Sequence, residues 1–373
     1  MASLDQTFLP KLSLQIPTPE KGYAAFSGDG NKIAICRGFP NFNHNLTQVL
    51  DTRTGKVLKN HPEDFNRVAL NSDGTVIACL SLNQIFLFDL GPEDQPSFTN
   101  RVLISPNSLT TNLVFSSDGK RLVWNDIAFI SIWEKDTNQF VMKSRKALAP
   151  IAISPDNKLL AAADYESELL LELRDVETNV SLNKLRGHMD NIKAVTFSPD
   201  SQLIATASLD GTVCLWDAHT FALIYTYHGH TGAVWSVAFS RNGKYLASGG
   251  ASHAIWIWDV YSGKAICSLE IKGMAHAVGF SADGKRVSAC SFFSFQTWDI
   301  SKWQVNWTPE NHSKFSKNVQ AVLRTLVLGL NRLIRSDCFM CPRIPGQNEE
   351  SLTRVDPACL EMEIFSGINI LDV

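Results

Sequence analysis

Hydrophobic and polar residues alternate most regularly near the middle of the chain. Three apolar runs of period two lie around Ala194–Phe197, Leu203–Ala207 and Val213–Trp216. Ser-Pro-Asp-Ser at 198–201 separates the first two runs and Leu-Asp-Gly at 209–211 separates the last two, and both are typical turn sequences. Alternation indicates strands with one buried face, and tight turns join neighbouring strands in antiparallel order. The stretch therefore predicts an antiparallel meander.

The same sequence of a strand followed by a turn occurs seven times along the chain. Each copy has Asp or Asn in the turn, and most have Gly beside it, as in Phe-Ser-Ala-Asp-Gly at 280–284. The acid or amide positions are 38 to 45 residues apart: Asp29, Asp73, Asp118, Asp156, Asp200, Asn242 and Asp283. Asp and Asn accept hydrogen bonds from nearby backbone N–H groups and Gly tolerates a positive φ, so each copy predicts a hairpin turn. Further apolar runs after each turn predict seven units of about four strands.

The central unit begins with Gly187-His188 and ends with Leu215-Trp216-Asp217. A four-strand unit with these signatures, repeated about every 40–45 residues, resembles the WD-repeat β-propeller family. The resemblance covers residues 10–308 and implies an all-β fold, a seven-bladed β-propeller of four-stranded antiparallel blades. Sheets placed around an axis bury both faces and leave only short edges, which one isolated sheet cannot do.

The resemblance also implies a hydrogen-bonded network at the edge of a blade. In the family, an Asp accepts from a His, and the His contacts a Ser that bonds the indole N–H of a Trp. In the fifth unit, the resemblance assigns this network to His188, Ser208, Asp210 and Trp216. The sixth unit keeps Gly229-His230 and Trp258 but has Gly250 and Ser252 where Ser and Asp are expected. Other units keep a residue at the Trp position alone: Trp133, Trp298, Phe88 and Leu173.

Two segments compete for the outermost strand of the last blade. Leu12–Ile16 lies near the amino terminus, and Trp303–Trp307 directly follows the third strand of the seventh unit. Leu12–Ile16 is favoured, because it would otherwise be an unpaired apolar strand. Family members commonly close the ring by pairing the two chain ends, which supports the same choice.

The repeat pattern stops at about residue 308, so residues 309–373 are predicted to form a C-terminal extension of helical and irregular structure. Apolar residues at helical spacing predict an amphipathic helix at about 313–335, which carries five basic residues and no acidic one. The favoured interpretation is a helix that packs against the ring. A partner-binding or membrane-surface helix is the alternative, and the absence of Trp or Tyr at its ends argues against membrane contact.

The composition of the chain limits which cellular compartments and which classes of partner are expected. The formal net charge is −3, from 34 basic and 37 acidic residues, which gives no electrostatic reason to expect nucleic acid as a partner. The amino terminus lacks the features of a signal peptide, and no apolar run is long enough to span a bilayer. Five of the eight cysteines lie in or beside strand-like runs, as expected of buried reduced thiols. We therefore expect a cytoplasmic or nuclear protein.

No motif for catalysis, metal binding or cofactor binding emerges. His188 and His230 recur at blade spacing, which favours structural roles over metal binding. Cys338 and Cys341 form a single Cys-x-x-Cys, to which Cys359 adds only a third thiol, whereas structural zinc usually has four ligands. We expect no catalytic residue, no cofactor and no bound metal.

Three functions remain open for a propeller. The favoured one is a non-catalytic scaffold for protein–protein interaction, since most members of the family act in this way. The alternatives are a substrate receptor of a ubiquitin ligase and, less favoured, an enzyme. Receptors of the family carry Trp-Asp-x-Arg after a third strand, whereas Trp216, Trp258 and Trp298 are followed by Asp without that Arg. An enzyme would require a charged or metal-binding cluster along the axis, where the predicted inner strands are mostly apolar.

Family resemblance also implies where partner proteins or peptides bind. The usual contact positions are four residues before the Phe of each Phe-Ser turn, and directly before the Asp of the turn after the second strand. On this sequence they predict a rim around one mouth of the channel, formed by Asn66, Thr111, Lys193, Leu209, Trp235 and His276. Leu82 and Phe292 are assigned loosely, because their turns are degenerate. A cation and a tryptophan in one rim resemble an interaction hot spot, although Trp235 could instead pack against the neighbouring blade.

Overall fold

The computed structural model describes residues 10–18, 22–37, 47–61, 65–81, 84–91, 101–104, 112–125, 129–145, 147–164 and 167–301. These residues form 28 β-strands in seven four-stranded antiparallel sheets. Each sheet is one blade, and the first strands of successive blades lie next to one another around the ring. The expectation of a seven-bladed, all-β propeller is confirmed.

The strands follow one another in chain order from the centre of each blade to its outer edge. Blade 1 contains β2 (Gly22–Phe26), β3 (Lys32–Arg37), β4 (Thr47–Asp51) and β5 (Val57–His61). Blade 2 contains β6 (Arg67–Leu70), β7 (Val76–Ser81), β8 (Gln84–Asp89) and β9 (Arg101–Ile104). Blade 3 contains β10 (Asn112–Phe115), β11 (Arg121–Asn125), β12 (Phe129–Glu134) and β13 (Gln139–Arg145).

The remaining blades repeat this order, except that the last takes its outermost strand from the amino terminus. Blade 4 contains β14 (Ala147–Ile153), β15 (Leu159–Asp164), β16 (Leu170–Asp175) and β17 (Ser181–Arg186). Blade 5 contains β18 (Ile192–Phe197), β19 (Leu203–Ser208), β20 (Thr212–Asp217) and β21 (Leu223–His228). Blade 6 contains β22 (Val234–Phe239), β23 (Tyr245–Gly250), β24 (Ala254–Asp259) and β25 (Ala265–Glu270). Blade 7 contains β26 (Ala275–Phe280), β27 (Arg286–Ser291), β28 (Ser294–Asp299) and β1 (Lys11–Pro17).

The ring is closed by β1, which pairs with β28 in an antiparallel register from Lys11 opposite Asp299 to Pro17 opposite Ser294. The Ser13 hydroxyl also donates to the carbonyl oxygen of Thr297, at 2.9 Å. This confirms the choice of Leu12–Ile16 as the closing strand over Trp303–Trp307. Residues 302–373 lie outside the described residues, and so do the predicted helix at 313–335 and the Cys-x-x-Cys sequence.

The repeated turn after each first strand is stabilised by its own side chains. In blade 5, the Ser198 hydroxyl donates to Oδ1 of Asp200 at 2.6 Å and accepts from the N–H of Leu203 at 2.8 Å. The same two bonds form in blade 1, from Ser27 to Asp29 and from Lys32 N–H to Ser27. Because these contacts are local, five or six residues suffice to specify each turn.

The hydrophobic core lies between neighbouring blades. Ala205 and Leu215 of blade 5 are fully buried in one cluster with Val237 and Leu246 of blade 6. Similar clusters join the other blades, including Ile33 of blade 1 with Phe295 of blade 7. Every blade therefore depends on its two neighbours for burial. Within the described part of the chain, no helix is long and apolar enough to cross a bilayer.

Candidate functional site

The two faces of the ring carry different strand ends. The first strand of each blade begins on one face, which also carries the turns between second and third strands; we call it the amino-end face. The turns after the first strands lie on the opposite face. Toward that opposite face, the central channel holds a cavity of about 570 Å³, lined by the later residues of all seven first strands. Arg241 is the single charged side chain among the described residues that line it.

Three predicted rim residues occupy β-bulges on the amino-end face. The pairing of first and second strands shifts by one residue between Ile192 and Ala194, between Val234 and Ser236, and between Ala275 and Ala277. The extra residues are Lys193, Trp235 and His276. A bulge places its extra residue outside the regular alternation and re-aims the side chain. The same β-bulge thus occurs at the same position in the first strands of blades 5, 6 and 7.

The structure places the other rim positions as follows. Asn66 is exposed directly before β6, and its backbone N–H donates to the carbonyl oxygen of Leu80. Leu209 is half-buried in the turn between β19 and β20. Thr111 lies outside the described residues, and so does the loosely assigned Leu82.

The structure brings two of the rim residues into contact with neighbours on the same face. The imidazole of His276 stacks on the ring of Phe292, with 5.0 Å between centroids and 21° between planes. Lys193 Nζ lies 3.6 Å from Oε2 of Glu168, and the two side chains are 36% and 40% exposed. Trp235 is half-buried.

Large apolar side chains are also exposed on the amino-end face. Met189 is 88% exposed before β18, and Phe293 is 56% exposed between β27 and β28. Leu169, Met274 and Tyr23 are also exposed on this face. The four loop residues follow no periodic pattern and could not be identified from the sequence, and Tyr23 lies near the beginning of β2.

His276 differs electrostatically from the other rim residues. Neither ring nitrogen has a hydrogen-bond partner among the described residues. Burial lowers the pKa of His276 to about 4, because the imidazolium ion would lose hydration without gaining a partner. The ring is therefore neutral near pH 7 and offers one donor and one acceptor.

The buried network of blade 5 joins His188, Asp210 and Trp216 through Thr206. Nδ1 of His188 donates to Oδ2 of Asp210 at 2.9 Å, and Nε2 lies 2.7 Å from the Thr206 hydroxyl. The indole N–H of Trp216 donates to the same hydroxyl at 2.9 Å. The Thr206 hydroxyl therefore donates to His188 and accepts from Trp216, and every member is satisfied.

The prediction that Ser208 joins the histidine to the indole is wrong. Ser208 donates instead to the carbonyl oxygen of Asp190 at 2.7 Å and accepts from the N–H of Asp210 at 3.1 Å. Trp216 pairs with Ile204 across the sheet. Its indole reaches the diagonal neighbour two residues on, Thr206, whereas Ser208 lies two residues farther along the strand. A hydroxyl ten residues before the Trp is the sequence signal for this role.

The same signal identifies Ser248 in blade 6, ten residues before Trp258. Ser248 accepts from the Trp258 indole at 2.9 Å and contacts Nε2 of His230 at 2.8 Å. Ser252 occupies the place of the aspartate and lies 2.6 Å from Nδ1 of His230. The family resemblance predicts this hydroxyl at Gly250, two residues too late.

In blade 4, an ion pair occupies the position that the tryptophan has in blades 5 and 6. Arg174 pairs with Leu160 as Trp216 pairs with Ile204, so Arg174 and not Leu173 occupies the Trp position. Its Nη2 donates to Oε1 of the buried Glu172 at 2.9 Å. The assignment of Leu173 as the substitute is therefore wrong by one residue, because the charged Arg174 does not look like a core position.

Burial controls the ionisation of the network. Burial lowers the pKa of His188, and this outweighs the opposing effect of Asp210. Burial alone would raise the pKa of Asp210, but hydrogen bonds from Thr212, Met189 N–H and His188 lower it below its usual value. A neutral histidine beside a charged aspartate is what this hydrogen-bond pattern requires.

Buried thiols in the blades are chemically inert. Burial raises the pKa of Cys214 to about 11 and that of Cys267 and Cys290 to about 12, so the reactive thiolate is scarce near pH 7. Within the described ranges, no group of three or more His, Cys, Asp or Glu residues could hold a metal ion.

Comparison with known proteins agrees with the fold. The family model described as "WD domain, G-beta repeat" matches residues 179–217 and 221–259, which contain the network residues of blades 5 and 6. The chain is 29% identical over 128 residues to "Protein LST8 homolog" of Drosophila melanogaster, covering 33% of this chain and 39% of that protein. It is 29% identical over 101 residues to "Target of rapamycin complex subunit LST8" of Saccharomyces cerevisiae, covering 26% of this chain and 33% of that protein.

A shorter match has higher identity. "Target of rapamycin complex subunit wat1" of Schizosaccharomyces pombe is 39% identical over 67 residues, covering 18% of this chain and 21% of that protein. The chain thus matches between about a fifth and two fifths of the length of these relatives. Together with the seven blades and the His–Thr–Trp network, these matches show that residues 179–217 and 221–259 are WD repeats within a seven-bladed β-propeller.

Proposed function

We propose that the chain is a non-catalytic scaffold that binds partner proteins or peptides on its amino-end face. Asn66, Thr111, Lys193, Leu209, Trp235 and His276 are the proposed contact residues. The bulge repeated in blades 5, 6 and 7 supports this most directly, because it presents Lys193, Trp235 and His276 at equivalent positions around one mouth. Natural sheets use bulges to re-aim side chains at functional sites.

The chemistry of this face favours recognition over catalysis. Its side chains include a half-buried tryptophan, exposed methionines and an exposed phenylalanine. Aromatic and methionine side chains are enriched in the centres of protein interfaces, where they bury large areas. The histidine and aspartate of blade 5, by contrast, are occupied by their own hydrogen bonds. We therefore propose that the chain is not an enzyme and needs no cofactor.

The names of the relatives indicate the setting in which such a face would work. Two of them are called target of rapamycin complex subunits, and another is called a probable cytosolic iron-sulfur protein assembly protein. By analogy, this chain would act as one subunit of a multiprotein assembly in the cytoplasm or nucleus. Proteins, and not nucleic acid, are the proposed partners.

Affinity capture with a double variant tests the proposal. Lys193→Glu with Trp235→Ala reverses one charge and removes one aromatic on the amino-end face. We expect partners recovered in stoichiometric amounts with the unaltered chain to be lost, while the melting curve is nearly unchanged.

A matched control alters the same chemistry elsewhere. Lys158→Glu with Phe140→Ala changes an exposed lysine in the turn after β14 and an exposed aromatic on the outermost strand of blade 3. Partners should be retained with this control. Partners lost with the control and retained with the test variant would place the binding surface on the outer strands instead.

A further inference from the structure

On the amino-end face, Arg67 of blade 2 has no carboxylate partner among the residues that the structure describes. Arg67 is the first residue of β6 and is half-buried. Its Cζ lies 3.6 Å from the centroid of the Tyr23 ring in blade 1. Among the described residues, no carboxylate or other acceptor is bonded to its guanidinium group. The other rim cation, Lys193, already has Glu168 beside it.

A half-buried cation without a counter-charge lowers the stability of the unbound propeller. Burial lowers the pKa of Arg67, since the guanidinium group loses hydration, and the effect exceeds the opposing influence of Tyr23 and Cys36. The stacked Tyr23 ring compensates partly through a cation–π contact. Such a group gains most when a partner supplies the missing negative charge.

The geometry of the pair favours a carboxylate over a phosphate. The guanidinium group is planar and can bind a carboxylate through two parallel N–H bonds while its face stacks on Tyr23. A single cation balances the single charge of a carboxylate, whereas a phosphate group carries nearly two at pH 7. Tyr23 is 40% exposed and Arg67 is half-buried, so the pair lies at the surface.

We infer that blades 1 and 2 bind an extended peptide segment of a partner protein through an Asp or Glu side chain, whose carboxylate is held by Arg67 above Tyr23. This inference rests on the proposed function and adds the chemistry of the partner to it.

The test is selection of a displayed library of random peptides on the immobilised full chain. Bound peptides should be enriched in Asp and Glu, and the enrichment should disappear with Arg67→Gln. For one enriched peptide, replacing its acid with the amide should weaken binding by about 10- to 100-fold on the unaltered chain. The same replacement should have almost no effect on Arg67→Gln, because the two changes remove one interaction.

The control is Arg186→Gln, which removes an exposed arginine from the outermost strand of blade 4 with the same change of charge. It should preserve the enrichment. If Arg67→Gln fails to fold, the acid-to-amide change in the peptide still measures the contact on the unaltered chain. Equal binding of the acid and the amide peptide would overturn the inference.

Two further outcomes would also contradict it. Retained acidic enrichment with Arg67→Gln would assign the charge recognition to another residue. A library that yields no bound peptide would exclude peptide binding. The proposed function would still hold if the chain captures a folded partner and loses it in the variant Lys193→Glu with Trp235→Ala.

Discussion

Thr206 contributes more to the stability of blade 5 than the small size of its side chain suggests. One hydroxyl accepts from the indole of Trp216 and donates to His188, and all three side chains are buried. Removing it would leave two buried polar atoms without partners. A buried unpaired polar group costs about 1–3 kcal/mol of stability, so the loss would exceed that of an ordinary hydrogen bond.

Thr206→Val should therefore lower the free energy of unfolding by about 2–4 kcal/mol, although it preserves the volume of the side chain. Ser208→Ala should cost less, about 1 kcal/mol, since Ser208 bonds only backbone groups. Urea denaturation measures both values. A larger effect from Ser208→Ala would show that the network is misassigned.

Buried histidines make the stability sensitive to mild acid. The pKa values of His230 and His276 are lowered to about 4 by burial, from the ordinary 6.5. As the pH falls below about 6.5, the unfolded chain binds protons before the folded one does. Their contribution to stability is therefore present above pH 6.5 and is lost progressively toward pH 4.

His276→Gln should reduce the loss of stability between about pH 7 and pH 5 by about 1–2 kcal/mol. The reason is that a neutral side chain replaces one that must be charged in the unfolded chain. Thermal melting at the two pH values measures the difference. The exposed His253→Gln serves as control, and an equal effect of both variants would contradict the assignment to burial.

Local chemistry explains which side chains could be predicted. His188, Asp210 and Trp216 lie next to recognisable turn or strand signatures, and the structure joins them. Thr206 and Arg67 could not be identified in this way. The role of Thr206 depends on diagonal contact across a sheet, and that of Arg67 on the approach of Tyr23 from another blade.

Strand β1 pairs with β28, the described strand that is farthest from it in the sequence. Leu14 and Ile16 pack against the cluster that joins blades 7 and 1. Ile16 also fits against Gly55, where a Cβ atom would lie 2.2 Å from the isoleucine side chain. Gln15 and Lys11 on the same strand are exposed. The strand thus has one face that holds the ring closed.

Ile16→Asp should lower the free energy of unfolding by roughly 2–3 kcal/mol, because it places a charge against apolar neighbours. Gln15→Asp, one residue away on the opposite face, should change it by less than about 0.5 kcal/mol. Urea denaturation of both variants tests the closure. Equal losses would mean that β1 is bound by its backbone alone.

Element boundaries were predictable wherever turn chemistry repeats. The Ser–Asp turns are specified by their own side chains, which is why the seven units could be counted from the sequence. The register of the third strand in blade 4 could not be predicted. There an ion pair between Arg174 and Glu172 replaces the aromatic side chain that identifies the Trp position in other blades. Closure by β1 or by Trp303–Trp307 stayed open, since local patterns do not determine long-range pairing.

For the molecule as a whole, the described strands are sufficient for a closed ring. All seven sheets have four strands, and the last of these strands ends at Asp299. Apolar clusters connect each blade to the next, including blade 7 to blade 1. No blade lacks a strand that the remaining chain would have to supply.

Deletion of residues 313–373 should therefore leave the melting temperature within about 2 °C of that of the full chain. Calorimetry of the two proteins provides the comparison. Cooperative unfolding should be retained, since the inter-blade clusters remain intact. A truncated chain that melts without a cooperative transition would show that the extension contributes to the core.

Closure through β1 also constrains how the ring can form during translation. Ser13 is separated from its partner Thr297 by 284 residues. At bacterial-to-eukaryotic elongation rates of about 5–20 residues per second, the nascent amino-terminal strand waits roughly 15–60 s for its partner to leave the ribosome. During that interval its apolar face and its backbone edge are open to other strands. Among the described strands, β1 is synthesised first and paired last, so it stays unpaired while the strands of all seven blades are made.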